Sequence, residues 1–320
     1  MIYHEVAIDP ESVEDLKDLG LIEKLFGFEH RRLIAMMPDP QKGRGQKWTS
    51  CLVDHLKQLL PGKVVQIEEK VRVIQRGAVI HSRKRTVVGE GVSWLEVAKS
   101  VHTDREFQAI LCGDSCDEPL PFCKFQDFHT LPETYPDCLK NPVHVTDSPK
   151  DPQVFLKHLT PLIGAANRLV FIDPYFNPVS GGKKWKNLVR DLSEYLREAK
   201  RTRVGVTFHG KLPEDAVDPS TYANEARQEI ESWFPPETDL SFSVWSNEST
   251  GQRLHPRYLL TNKGGAGLEY GLDASPDQRT DVALLPLEKV KQTLDEYDPE
   301  NPTLFRLEKY LTFKGRRGGR

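Results

Sequence analysis

The sequence predicts an α/β protein of two domains, on three observations: its length, a proline-rich stretch near the middle, and a repeated strand-helix alternation beyond it. The chain has 320 residues, more than one core normally holds. Pro119, Pro121, Pro132, Pro136, Pro142, Pro149 and Pro152 crowd into 113–152. Fixed φ and missing N–H donors argue there against a continuous helix or a central strand. A connector is expected, with a smaller mixed α+β domain over 1–145 and an α/β domain over 146–320.

In the first domain, Ser12 followed by Asp15 and then Leu16, Leu19, Leu21 and Ile22 on one side predicts a helix. A second helix is expected over 48–60, where Trp48, Cys51, Leu52, His55, Leu56 and Leu59 recur with helical period and Pro61-Gly62 ends it. The β-branched pattern Val65, Ile67, Val71, Val73 predicts a strand over 63–74, and Gln75-Arg76-Gly77 turns it into a second strand at Val79-Ile80 as a hairpin. A short helix over 94–101 and a strand over 107–111 complete this domain.

In the second domain, a helix over 154–160 is expected to stop at Pro161. A buried strand over 168–172 then ends in Asp173-Pro174-Tyr175-Phe176. The helix over 184–200 places Trp185, Leu188, Val189, Leu192, Tyr195, Leu196 and Ala199 on one face. With the next strand, over 204–208, it forms a βαβ unit whose strands should run parallel. A helix over 222–233, a strand alternating through Leu240, Phe242 and Val244, and a strand over 257–261 follow.

With 38% hydrophobic and 28% charged residues the chain can bury real cores. A formal charge of -3 excludes whole-surface attraction to nucleic acid or anionic lipid, so such binding must be local. Three basic clusters qualify: the loop 42–47, Arg83-Lys84-Arg85, and the tail 314–320. Cations there would displace counterions from a phosphate backbone, which favours nucleic acid as partner. No apolar run approaches the roughly 18 residues of a membrane span, so none is expected. The five scattered cysteines, an odd number, suggest thiols in a reducing cytoplasm. Cys112, Cys116, Cys123, His129 and Cys138 match no common zinc spacing, and no metal or other cofactor is expected.

The chemistry-bearing residues converge on 254–262. Residues two apart on a strand face one side, so His255 and Arg257 can address one phosphate, imidazole as nucleophile and guanidinium as clamp. Asp173 stands where a strand of an α/β sheet ends, the edge at which ligands collect, or else merely opens a turn with Pro174. Tyr175 and Lys183 are candidates for the same cleft. Ser180-Gly181-Gly182-Lys183 lacks the spacing of a Walker loop.

His255, Arg257 and Asn262, followed by Gly264-Gly265-Ala266-Gly267 and Gly271-Leu272-Asp273, resemble the phospholipase D superfamily, whose defining element is His-x-Lys, four residues, then Asp. The resemblance spans about 150–285. It implies an α/β/α sandwich and metal-independent phosphodiester cleavage, with His255 forming a phosphohistidine and a second histidine protonating the leaving oxygen. The sequence holds one such motif, so the resemblance implies a homodimer pairing two His255 side chains, or an incomplete site. Two positions depart from the family. Arg257 keeps the lysine's charge and adds a bidentate fork. Asn262 can orient an imidazole but cannot stabilise an imidazolium as an aspartate would, a role for which Asp273 or Glu269 are the candidates. The expected function is a nuclease-type phosphodiesterase, similar to components of bacterial defence or mobile-element systems. The alternatives are a phosphate-binding module that has lost the reaction, or a subunit of a larger complex.

Overall fold

A computed structural model describes residues 3–28, 30, 32–36, 48–80, 92–104, 106–113, 122–130, 145–180, 182–198, 204–246, 254, 257–271 and 275–316. The chain divides into two units, Tyr3–Val143 and His144–Arg320.

The first unit is built on strands β1 (His4–Ile8), β2 (Arg32–Ala35), β3 (Val79–Ile80), β4 (Ala109–Cys112) and β5 (Phe122–Lys124), in the order β3-β2-β1-β4-β5. Every pairing among them is parallel. Alternate residues of the strands feed two cores. Val6, Ile8, Ile34, Ala109 and Leu111 pack with the helices α1 (Leu16–Leu25), α2 (Trp48–Leu59) and α3 (Val64–Gly77). Ala7, Ala35 and Ile110 pack with α4 (Trp94–Asp104). Helices therefore cover both faces, which is why β1 is buried along its whole length. This is an α/β layout, where the sequence suggested a mixed α+β one.

The source of that difference is α3, which lies where a hairpin was expected. Ile67, Val71 and Ile74, spaced four and three apart, form its buried stripe, whereas Val65 and Val73 point outward at 77% and 47% exposure. Packing of the helical stripe outweighed the β preference of the valines. Two further expectations are corrected. Cys51 and Cys123 are thiols, but Cys112 is disulfide-bonded, which weighs against an all-thiol chain. The proline-rich stretch also contributes strands, β5 to the first sheet and β6 (Val145–Lys150) to the second. Both lie at sheet edges, where Pro149 can be tolerated.

The second unit continues with α5 (Pro152–Ala165), β7 (Arg168–Ile172), α6 (Gly182–Glu198), β8 (Gly205–Lys211), α7 (Pro219–Glu231) and β9 (Asp239–Ser246). It then adds β10 (Tyr258–Thr261), β11 (Gly264–Leu268), β12 (Ser275–Leu285), α8 (Leu287–Glu296) and β13 (Arg306–Lys314). The eight-stranded order is β13-β9-β8-β7-β10-β11-β12-β6. β7, β8 and β9 run parallel, as the βαβ pattern predicted, and the remaining pairings are antiparallel. α5 passes through Pro161 rather than stopping there. Asp151 caps its first turn, and Leu159, Leu162 and Ile163 are buried on both sides of the proline, holding the turns together.

Phe176, Phe208 and Phe242 meet Trp185 of α6 and Tyr222 of α7 on one face of this sheet. Val170, Ile172, Trp245 and Leu260 meet Val290 of α8 on the other. The glycine run 264–267 serves this packing. A Cβ at Gly265 would lie 2.7 Å from Leu260 Cδ2 and 2.9 Å from Val290 Cγ2, so a side chain there would push these methyl groups aside where α8 packs on the hairpin.

Candidate functional site

The antiparallel pairing of β10 with β7 sets Tyr258 opposite Ile172, and so brings Arg257 opposite Asp173, one step beyond the carboxyl end of β7. Asp173 is fixed by its backbone. Its N–H donates to the His209 carbonyl of β8 (3.1 Å), and its own carbonyl accepts from Phe176 N–H (2.9 Å). Its carboxylate, only 2% exposed, accepts the Tyr175 N–H at 2.9 Å. Asp173 thus does open a turn, and that turn presents Tyr175.

Arg257 is held from three sides. Nη1 donates to the Glu269 carbonyl at 2.8 Å, Cζ lies 4.7 Å from the centroid of the Tyr175 ring, and Nε stands 4.0 Å from Asp173 Oδ1. The last distance is an electrostatic contact but too long for a hydrogen bond, and the buried Nε has no hydrogen-bond partner among the described residues. The donor capacity left unspent is therefore that of the other terminal nitrogen, Nη2, for which the described residues supply no partner. The sequence offers Glu269 for its carboxylate, yet it is the backbone carbonyl that holds the arginine, a role no side-chain pattern announces. A second cation secures the same turn: Lys150 Nζ donates to the Tyr270 carbonyl at 2.8 Å.

Asn262 is not brought to this place. It lies in the two-residue turn between β10 and β11, five residues from Arg257, or roughly 16 Å along the strand. There its Oδ1 accepts the Asn167 N–H at 3.0 Å, tying the hairpin tip to the entrance of β7. Its place is architectural, at the opposite end of the strand from the guanidinium. His255 and Asp273 lie outside the described residues, as do Arg83, Lys84 and Arg85 and the clusters 42–47 and 317–320. Lys183 falls in the first turn of α6, its side chain outside what is described.

One histidine that the sequence reading passed over is central to this unit. His209 of β8 pairs with Ile172, one residue before Asp173. It is 2% exposed, accepts the Trp245 indole N–H at its Nδ1 (3.0 Å) and meets Tyr297 edge-on at 5.6 Å. Burial foremost, and then the charge of Arg168, push its pKa down to about 3. It stays neutral at neutral pH, on the sheet face of Ile172 rather than that of Arg257. It is therefore no proton donor for chemistry at the arginine.

In the first unit the strand order reverses between β1 and β4, the place where parallel sheets bind ligands at their carboxyl ends. Asp9, the first residue past β1, donates its N–H to Leu111 of β4 at 2.8 Å. Its carboxylate accepts Glu11 N–H at 3.0 Å, and burial raises its pKa to about 6. Among the described residues no group of three or more His, Cys, Asp or Glu could hold a metal ion, and no helix is long and apolar enough to cross a membrane.

No protein-family model and no curated protein matches the chain in sequence. Fold and site together define a class: an α/β protein whose C-terminal unit sets a cation, a carboxylate and an exposed ring at the carboxyl end of a parallel strand.

Proposed function

We propose that the C-terminal unit is a phosphodiester-recognition domain of the phospholipase D type, in which Arg257 meets the phosphoryl oxygens. One observation carries this reading. Arg257 is pre-oriented by the Glu269 carbonyl at Nη1 and by the Tyr175 ring, while its other terminal nitrogen, Nη2, makes no hydrogen bond among the described residues. A guanidinium fixed in place with donors to spare loses little freedom when it takes up an oxyanion. The test is binding of a fluorescein-labelled oligonucleotide to the full chain across a salt series. Arg257→Ala should weaken binding about 10-fold and reduce the salt slope by about one, while Arg257→Lys, retaining charge without the fork, should fall between. Equal affinity of wild type and Arg257→Ala would end the proposal.

A second reading is a metal-independent phosphodiesterase, favoured by His255 standing two residues before Arg257. His255 would attack phosphorus, the ester P–O bond would break with a proton passing to the leaving oxygen, and water would then hydrolyse the phosphohistidine. Because the sequence holds a single motif, the proton donor in this reading is His255 of the partner subunit in a homodimer. Its signature is cleavage that resists chelators and vanishes in His255→Ala while binding survives. DNA and RNA left intact by the wild type would restrict the domain to binding.

A further inference from the structure

The ring beside the guanidinium extends this reading to a ligand class, and the extension rests on the phosphate-binding role of Arg257. Tyr175 is 64% exposed, yet its position is defined. Its N–H is bound by the Asp173 carboxylate, Pro174 precedes it, and Phe176 on its other side is buried against Trp185 and Phe208. Arg257 Cζ stands over the ring at 4.7 Å, so the exposure belongs to the opposite face and the rim. A fixed aromatic ring left open to water has no role in the core.

A cation with donor capacity and an open aromatic face, this close together, offer two different interactions: charge-assisted hydrogen bonds and stacking. A lipid head group can use the first alone. A nucleic acid uses both, because each phosphate is followed along the chain by a planar base. Only an unpaired strand can turn a base face toward a protein ring, since in a duplex neighbouring bases cover both faces. The formal charge of -3 gives no general attraction to a membrane or to a nucleic acid, so the ring decides between them. The geometry points to single-stranded nucleic acid as the ligand of this site, one phosphate on Arg257 and an adjoining base stacked on Tyr175. Tyr175 is then the residue that separates a strand from a head group.

The experiment compares three labelled probes against the full-length protein: a single-stranded oligonucleotide, an abasic strand with the same phosphates, and vesicles of phosphatidylcholine with phosphatidic acid. The wild type should prefer the intact strand over the abasic one by roughly 5-fold or more, the lower end of what one stacked base contributes. Tyr175→Phe should keep that preference and Tyr175→Leu should abolish it, with folding verified by the unchanged melting expected of an exposed position. Equal binding of both strands, preference for the vesicles, or no strand binding at all would overturn the stacking inference. If both strands bind equally but both depend on Arg257, stacking fails and phosphate recognition stands. If Arg257→Ala changes the binding of no probe, phosphate recognition itself fails.

Discussion

Arg257 Nε lies 4.0 Å from the Oδ1 atom of Asp173, and that carboxylate simultaneously holds the backbone N–H of Tyr175. A phosphate arriving at Arg257 must therefore share the guanidinium with a buried negative charge. Asp173→Asn keeps an oxygen for the Tyr175 N–H and removes the charge. At such a distance one charge pair is worth about 1 kcal/mol even in water, so the variant should bind an oligonucleotide roughly 5-fold tighter or better in an anisotropy titration. Unchanged or weaker binding would show that the carboxylate does not oppose the ligand.

His209 makes the C-terminal unit sensitive to acid. Its folded pKa of about 3 lies below the ordinary 6.5, so between those values the unfolded chain binds more protons than the folded one. Its contribution is intact above 6.5 and is lost as pH falls toward 3, by at most about 1.4 kcal/mol per pH unit. His209→Gln retains an acceptor for the Trp245 indole N–H without titrating. Urea unfolding followed by tryptophan fluorescence should show the wild type losing more stability than the variant across that window. Parallel pH profiles would contradict the assignment.

Asp9 acts in the opposite sense. Burial raises its folded pKa from 3.8 to about 6, so the folded state holds the proton more tightly between these values and stability declines as pH rises through them. Asp9→Asn keeps an acceptor for the Glu11 N–H and removes the charge that burial disfavours. The melting temperature of the variant should exceed that of the wild type above pH 6 and converge with it near 3.8. A melting temperature lowered throughout would mean that the carboxylate is stabilising after all.

Two glycines should respond in opposite directions to alanine. At Gly210 a Cβ would meet the Phe176 carbonyl oxygen at 2.8 Å, a backbone atom of the turn that carries Tyr175. Gly210→Ala should lower stability by about 1–3 kcal/mol and weaken oligonucleotide binding. Gly20 lies inside α1 with nothing near its Cβ position, so Gly20→Ala should stabilise by about 0.5–1 kcal/mol and leave binding alone. Denaturant titrations and binding assays on the two variants decide both points.

Much of the second unit is legible in the sequence, because its signals are local. The period of Trp185, Leu188, Val189 and Leu192 identified α6, the apolar run before Asp173 identified β7, and the spacing between them required parallel strands. The strand expected over 63–74 failed because β-branched residues satisfy both templates. Only the sheet beneath Ile67, Val71 and Ile74 decides which stripe is buried.

By itself, the sequence determined that the chain holds two units, the second of them α/β, and that Arg257 stands at a strand end. These follow from the periodicity of apolar residues, which local backbone geometry dictates. Tertiary structure alone decided that Asp173 and Tyr175, more than 80 residues away in the chain, flank that arginine while Asn262, only five away, does not. The register of β10 against β7 makes that selection, because strand pairing joins residues by position across a sheet and is indifferent to their separation along the chain.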